Sequence, residues 1–142
     1  MATKKILLAY DSSDGSQKAL EWTIEYAKKN ASEVHVVTVI DSAGWITLEP
    51  MSQLIDLEEM RSNYLRKLNE ATQTLCDGFS CSVQRKVLEG NPTAELLQYA
   101  KEEKVDLIIC GSHGMSNIGA MLLGSVAHKL VTYAACPVVV VK

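Results

Sequence analysis

The sequence has no close-set cysteine pair, no long apolar run, no excess of positive charge and no repetitive or linker-like stretch. Each absence removes a class of protein. The cysteines, Cys76, Cys81, Cys110 and Cys136, include no CxxC spacing, and His35, His113 and His128 stand far from any paired cysteine. A zinc site built on closely spaced ligands is therefore not expected. Cys110 and Cys136 sit in apolar runs and read as reduced core thiols. The opening MATKKILLAYDSS has lysines, but its apolar run covers only Ile6–Tyr10. That is too short for an export signal or a membrane span, so a cytoplasmic location without a membrane partner is expected. A net charge of -3 and an isoelectric point near 5.6 offer no basic face for nucleic acid. What remains is ordinary for a folded chain: 142 residues, 47% hydrophobic and 22% charged. That is enough for one core, and a single domain over residues 1–142 is expected.

Apolar periodicity then divides the chain. Ile6–Tyr10 is a continuous apolar run ending at Asp11, the pattern of a buried central strand. Ser12–Ser16 is a turn rich in helix-capping residues. Ala19, Leu20, Ile24 and Ala27 recur at helical spacing within Ser16–Asn30, with Asn30 closing the helix. Glu33–Asp41 (EVHVVTVID) is β-branched and strand-like. After an irregular Ser42–Pro50, residues Leu54, Leu57, Tyr64, Leu65, Leu68, Ala71 and Leu75 mark one face of a long helix ending near Asp77-Gly78. Met51 and Met60 on that helix read as core or dimer packing. Cys81–Gly90 alternates apolar and polar residues, as a strand near a sheet edge does. Asn91 and Pro92 read as N-cap and first position of a helix whose face is Ala94, Leu97 and Ala100. Val105–Cys110 is a further apolar strand, Gly111–Gly124 a glycine-punctuated loop, Ser125–Ala135 a helix and Pro137–Val141 the last strand. Strict alternation of strand and helix predicts an α/β fold, a doubly wound parallel sheet with helices on both faces.

The stretch that carries chemistry is Gly111-Ser112-His113-Gly114, nine residues, then Gly124-Ser125. It follows a buried strand and precedes a helix. A loop of this length in a small domain commonly serves a function. Its glycines allow close approach of backbone to a ligand. The amides opening the Ser125 helix lack intrahelical partners and, with the helix dipole, suit an anion. Ser125 can cap that helix or give its hydroxyl to a phosphate. Cys110–Ala127 contains no Lys, Arg, Asp or Glu. Phosphate would then be held by amides and hydroxyls, with Mg²⁺ sharing the charge. There is no GxxxxGK[ST], so no lysine is placed as in P-loop enzymes. Nor does the loop contain an arginine or carboxylate to stabilise phosphoryl transfer. Binding with at most slow hydrolysis is the expectation. The first strand leads into DSSDGS rather than GxGxxG, which disfavours a dinucleotide fold of that kind.

The stretch GSHGMSNIGAMLLGSVAHKL, with AYDSS near the start, VTVID at the end of the second strand and CPVVVVK at the end, resembles the universal stress protein family over essentially the whole chain. Every position of the G-x-x-G-x9-G-[S/T] pattern of that family's ATP-binding branch is filled. The resemblance implies a five-stranded sheet of order 3-2-1-4-5, an adenine nucleotide alpha-hydrolase-like fold. It also implies a site for ATP or another adenine nucleotide, formed by Asp11, Ser12, Val39, Cys110, Gly111, Ser112, His113, Gly114, Gly124, Ser125 and Val126. Within it Asp11 lies near the adenosine and Val39 meets adenine through its backbone. Gly111, His113 and Gly114 line the ribose–phosphate path, and Gly124, Ser125 and Val126 hold the phosphates. A homodimer paired through the last strand is implied too, and an apolar edge strand such as Pro137–Val141 independently calls for cover.

Plainer readings stand beside these. Asp11 can simply cap a turn, and His113 can be a polar loop residue rather than a ligand contact or general base. Asp11, His113 and Ser125 lack the G-x-S-x-G elbow of a hydrolase. His35 and His128 read as structural or surface residues. Three functions stay open: a nucleotide-dependent stress regulator, a slow ATPase acting as a timer, and a nucleotide-free module for an unidentified protein partner.

Overall fold

The computed structural model describes residues 4–42, 50–76, 82–113 and 123–142, with backbone alone at 50–56 and 74–76. In chain order these form β1 (Lys5–Ala9), α1 (Asp14–Asn30), β2 (Glu33–Asp41), α2 (Pro50–Cys76), β3 (Val83–Gly90), α3 (Pro92–Glu102), β4 (Leu107–Gly111), α4 (Ser125–Tyr133) and β5 (Val138–Val141). The strands make one sheet of order β3-β2-β1-β4-β5, every adjacent pair parallel. This is the doubly wound arrangement that the alternating pattern predicts. The alternating β3 lies at one edge, and the continuously apolar β1 lies at the centre, buried from both sides.

The two faces of β1 explain the two layers. Ile6 and Leu8 point into a cluster with Ala19, Leu20, Ile24 and Ala27 of α1 and Leu68 of α2. Leu7 points the other way, into a cluster with Leu96 and Tyr99 of α3 and Ala127 and Leu130 of α4. A strand whose neighbours cover both faces has no polar side, which is why its sequence does not alternate.

Helix ends follow local chemistry. Ser13, extended at ψ 161°, caps α1 and accepts the Ser16 amide at 3.1 Å, so α1 begins two residues before the expected Ser16. Its left-handed C-cap is Ala31, while Asn30 stays helical and donates from Nδ2 to the Tyr26 carbonyl. Asn91 caps α3 through the Ala94 amide at 3.0 Å, with Pro92 in the first turn as expected. β4 starts two residues later than the expected Val105. Val105 is buried, but its amide donates to Ala100 and closes α3 after the left-handed Lys104. Its apolarity reports burial rather than strand. α4 ends at Tyr133 instead of Ala135, because Ala134 is already extended ahead of Pro137. The expected start of β3 at Cys81 and the expected helix end at Asp77-Gly78 lie outside the described residues, as do the side chains of Met51, Leu54 and Leu75. Met60 is half-buried.

One polar group sits within the second layer. His35 on β2 is only 2% exposed. Its Nδ1 is 2.6 Å from Tyr99 Oη and its Nε2 is 2.7 Å from Glu33 Oε1. A carboxylate only accepts, so Nε2–H donates to Glu33 and Nδ1 accepts the Tyr99 hydroxyl. Burial, and then the charges of Glu103 and Glu33, push the Tyr99 phenol up to about 12. Among the described residues this bond ties β2 to α3, and His35 is structural as expected.

Tyr99→Phe should leave Nδ1 buried without a donor and cost about 1–3 kcal/mol in urea denaturation. A phenol raised from 10.0 to about 12 favours the fold below pH 10 and loses that effect as pH rises through 12. The gap between wild type and variant should therefore narrow over that window.

Candidate functional site

The carboxyl ends of β1, β2 and β4 meet where the chain reverses direction across the sheet. Crevices for ligands form at such points. The turn after β1 is held by its own side chains. Asp11 Oδ1 accepts the Ser13 amide at 2.9 Å, and Ser12 takes a left-handed φ of 69°. Ser16 Oγ donates to the Ser13 carbonyl and accepts the Asp11 amide at 3.3 Å. Tyr10 is fixed to β2 by its amide on the Val37 carbonyl and by the Thr38 hydroxyl on its own carbonyl, 2.6 Å.

The other wall is the end of β4. Ser112 donates its amide to Val141 at 3.0 Å, and its carbonyl accepts the Gly124 amide at 2.7 Å. Two residues twelve apart in sequence are thus clamped together, and α4 starts beside the strand end. Gly124 is the N-cap and makes no side-chain bond. The first bond of the helix runs from the His128 amide to Gly124 O at 2.9 Å. The amides of Ser125, Val126 and Ala127 precede it and have no partner within the helix. Ser125 therefore does not cap α4. The cap falls one residue earlier, on a glycine in extended conformation, and the Ser125 hydroxyl stays exposed.

The walls meet at two glycines. A Cβ on Gly111 would lie 2.6 Å from the Gly15 carbonyl carbon, and one on Gly15 would lie 2.7 Å from His113 O. Neither fits, so the first turn of α1 can approach β4 this closely only with glycine on both sides. His113 Nδ1 lies 3.1 Å from Ser112 Oγ, and its Nε2 is buried with no hydrogen-bond partner among the described residues.

Between these walls is a crevice of ≈ 370 Å³. Of the residues singled out from the sequence, Asp11, Val39, Cys110, Gly111, Ser112, His113, Gly124, Ser125 and Val126 line it. Ser12 does not; its left-handed turn serves to place Asp11. Gly114 lies outside the described residues. Ser16, Thr38, Asp41, Tyr64, Pro92 and Leu96 also line the crevice and carried no sequence signal for it. Tyr64 read as one more apolar position of a long helix, and Pro92 as a helix start. Cys110 is buried in the floor, and burial pushes its thiol up to about 11. It is a packing residue there, not a nucleophile. Cys136, expected in the core, is only partly buried. His128 is exposed on α4, away from the crevice lining. Among the described residues no three His, Cys, Asp or Glu side chains converge to hold a metal, and no helix is long and apolar enough to cross a membrane.

The family model described as "Universal stress protein family" matches residues 2–142. The chain belongs to the universal stress protein family. Universal stress protein YxiE of Bacillus subtilis is 32% identical to it over 148 residues, covering 97% of this chain and 98% of that one. The solved universal stress protein UspA from Lactobacillus plantarum covers 100% of both chains with a TM-score of 0.88 at 23% identity. A universal stress protein family protein from Arabidopsis thaliana, solved with AMP bound, has a TM-score of 0.67 at 22% identity over 98% of this chain and 91% of its own. The fold of this universal stress protein is thus the adenine nucleotide alpha-hydrolase-like α/β fold of its structural neighbours.

Gly111→Ala should force the strand end and α1 apart. Overpacking of this kind costs about 1–3 kcal/mol, read as a lowered unfolding midpoint in urea. An unchanged midpoint would mean that the close approach is not tight.

Proposed function

We propose that this universal stress protein binds an adenine nucleotide, ATP with Mg²⁺, in the crevice at the sheet's switch point. Its role is that of a nucleotide-dependent regulatory module with at most slow hydrolysis. The observation that carries this reading is the start of α4. Three amides without helical partners and an uncapped serine hydroxyl face a crevice also lined by Gly111 and His113. Such a helix start is an anion site. The site fits a polyphosphate on its donor chemistry, and an AMP-bound relative holds an adenine nucleotide on this fold.

In this reading the amides of Ser125 and Val126 and the hydroxyl of Ser125 hold phosphate oxygens, while Gly111, Ser112, His113 and Gly114 line the path to the ribose. Asp11, placed by the turn at Ser12, accepts from ribose or base, and Val39 meets the base through its backbone. Magnesium supplies the positive charge that the lining lacks. Among the described lining residues Asp11 and Asp41 are the charged side chains, with no lysine or arginine. Phosphoryl transfer needs stabilisation of developing negative charge. A described lining without an arginine or a lysine supports binding more than turnover.

The same reading pairs two copies through β5. The carbonyls of Pro137 and Val141 accept the amides of Ile108 in β4 and of Ser112 just after it. By the two-residue alternation of a strand, Val140 directs its N–H and C=O away from β4, toward the open edge. Antiparallel pairing with a second chain would satisfy that edge.

Calorimetric titration with ATP and Mg²⁺ should show micromolar or tighter binding, and phosphate release should stay near background. Gly124→Val, which puts a branched side chain where the phosphates sit, should abolish the heat of binding without unfolding the chain. Equal affinity in that variant would place the phosphates elsewhere. Val140→Pro removes an outward amide and spares the bonds to β4, so light scattering should find it monomeric where the wild type is dimeric. A dimer that survives the substitution would rule out pairing through β5.

A further inference from the structure

We infer that Tyr64 of α2 is the base-stacking residue of this crevice and sets its preference for nucleotides over free polyphosphate. This rests on the nucleotide reading above and names a contact that neither the G-x-x-G-x9-G-S motif nor the strand ends contain. The crevice has two chemically different ends. At the β4 end lie the free amides of α4, suited to phosphate. β2 and β4 flank β1, so with strands about 4.8 Å apart their ends are separated by about 10 Å. A nucleotide with its phosphates over α4 and its length across β1 brings its base to the β2 end.

That end is lined by Val39, Asp41, Pro92, Leu96 and Tyr64. Three of these are apolar and offer contact area but no orientation. Among the described residues two tyrosines line the crevice, and of these Tyr64 is the one available to a ligand. Tyr10 is 8% exposed and belongs to the core cluster under α1, with its hydroxyl donating to Gln17 Oε1 at 3.2 Å. Tyr64 is half-buried and belongs to neither core cluster. Lys67 Nζ lies 5.8 Å from its ring centroid. A cation over a ring is drawn to the same π-face that attracts a flat heterocycle. Among the described residues at the base end, Tyr64 supplies the aromatic face on which a planar base can stack, and Asp41 the carboxylate.

The test titrates the full-length wild-type chain and its Tyr64→Ala, Tyr64→Leu and Tyr64→Phe variants with ATP and with inorganic tripolyphosphate, each with Mg²⁺. The Ala and Leu variants should lose about 5- to 150-fold in ATP affinity, the range for one stacked base. Phe, which keeps the ring, should stay close to wild type. Tripolyphosphate affinity should be the same in all four proteins. Tyr64→Leu fills similar space without a π-face, so it separates stacking from packing. ATP binding by the Leu variant equal to wild type overturns the inference, as does a parallel loss of ATP and tripolyphosphate. A wild-type chain that binds neither ligand overturns the nucleotide reading, and this inference with it.

Discussion

Two segments of main chain touch where Gly15 passes Gly111, and most of the crevice follows from that contact. An ordinary side chain at either position would come within 2.7 Å of opposing backbone. Without one, the first turn of α1 settles against the end of β4, and the turn carrying Asp11 comes to face the segment carrying His113. The Ser112–Gly124 bond then folds the chain back and sets α4 beside the strand end. The amides of that helix aim into the crevice because of these two main-chain contacts, neither of which depends on a particular side chain. Main-chain contacts of this kind set the position of both walls without help from a ligand.

The electrostatic character of the crevice follows from the same economy of side chains. Its charged lining residues are both carboxylates, and the positive character comes from peptide dipoles. The described lining holds no lysine or arginine to neutralise the charge of a transferring phosphoryl group. On the reading proposed above, the site holds its ligand rather than transforming it, and its occupancy is what a partner or a second copy would read.

The sequence announced some of this and hid the rest for physical reasons. Period and punctuation located the nine elements of the described residues, because burial on one or both faces writes itself into apolar spacing. The β4 boundary was misplaced because Val105 is buried through the closing turn of α3 rather than through the sheet. The motif glycines Gly111 and Gly124 were legible from their place between strand and helix. Gly15 was not, since its partner lies 96 positions away in the chain and only the folded backbone brings them together. Tyr64 was invisible as a site residue for a related reason: at helical spacing an aromatic looks the same whether it faces the core or a cavity.

That last ambiguity has a structural source. α2 packs mainly on the edge strand β3, and only part of an amphipathic face is consumed there. Leu68 reaches the core, Leu65 is 41% exposed, and Tyr64 turns toward the crevice instead. The central helix α1 has no such freedom, because its apolar face is locked against β1 and β4 and its first turn is pinned at Gly15. Variation in what such a crevice recognises is therefore easiest to accommodate at the β3 edge, where a side chain can change without disturbing the packing beneath. The α4 end, made of main chain under steric constraint, leaves almost no room for change. On the nucleotide reading proposed above, a fold arranged in this way keeps one anion-holding frame while the residues opposite it decide what the anion is attached to.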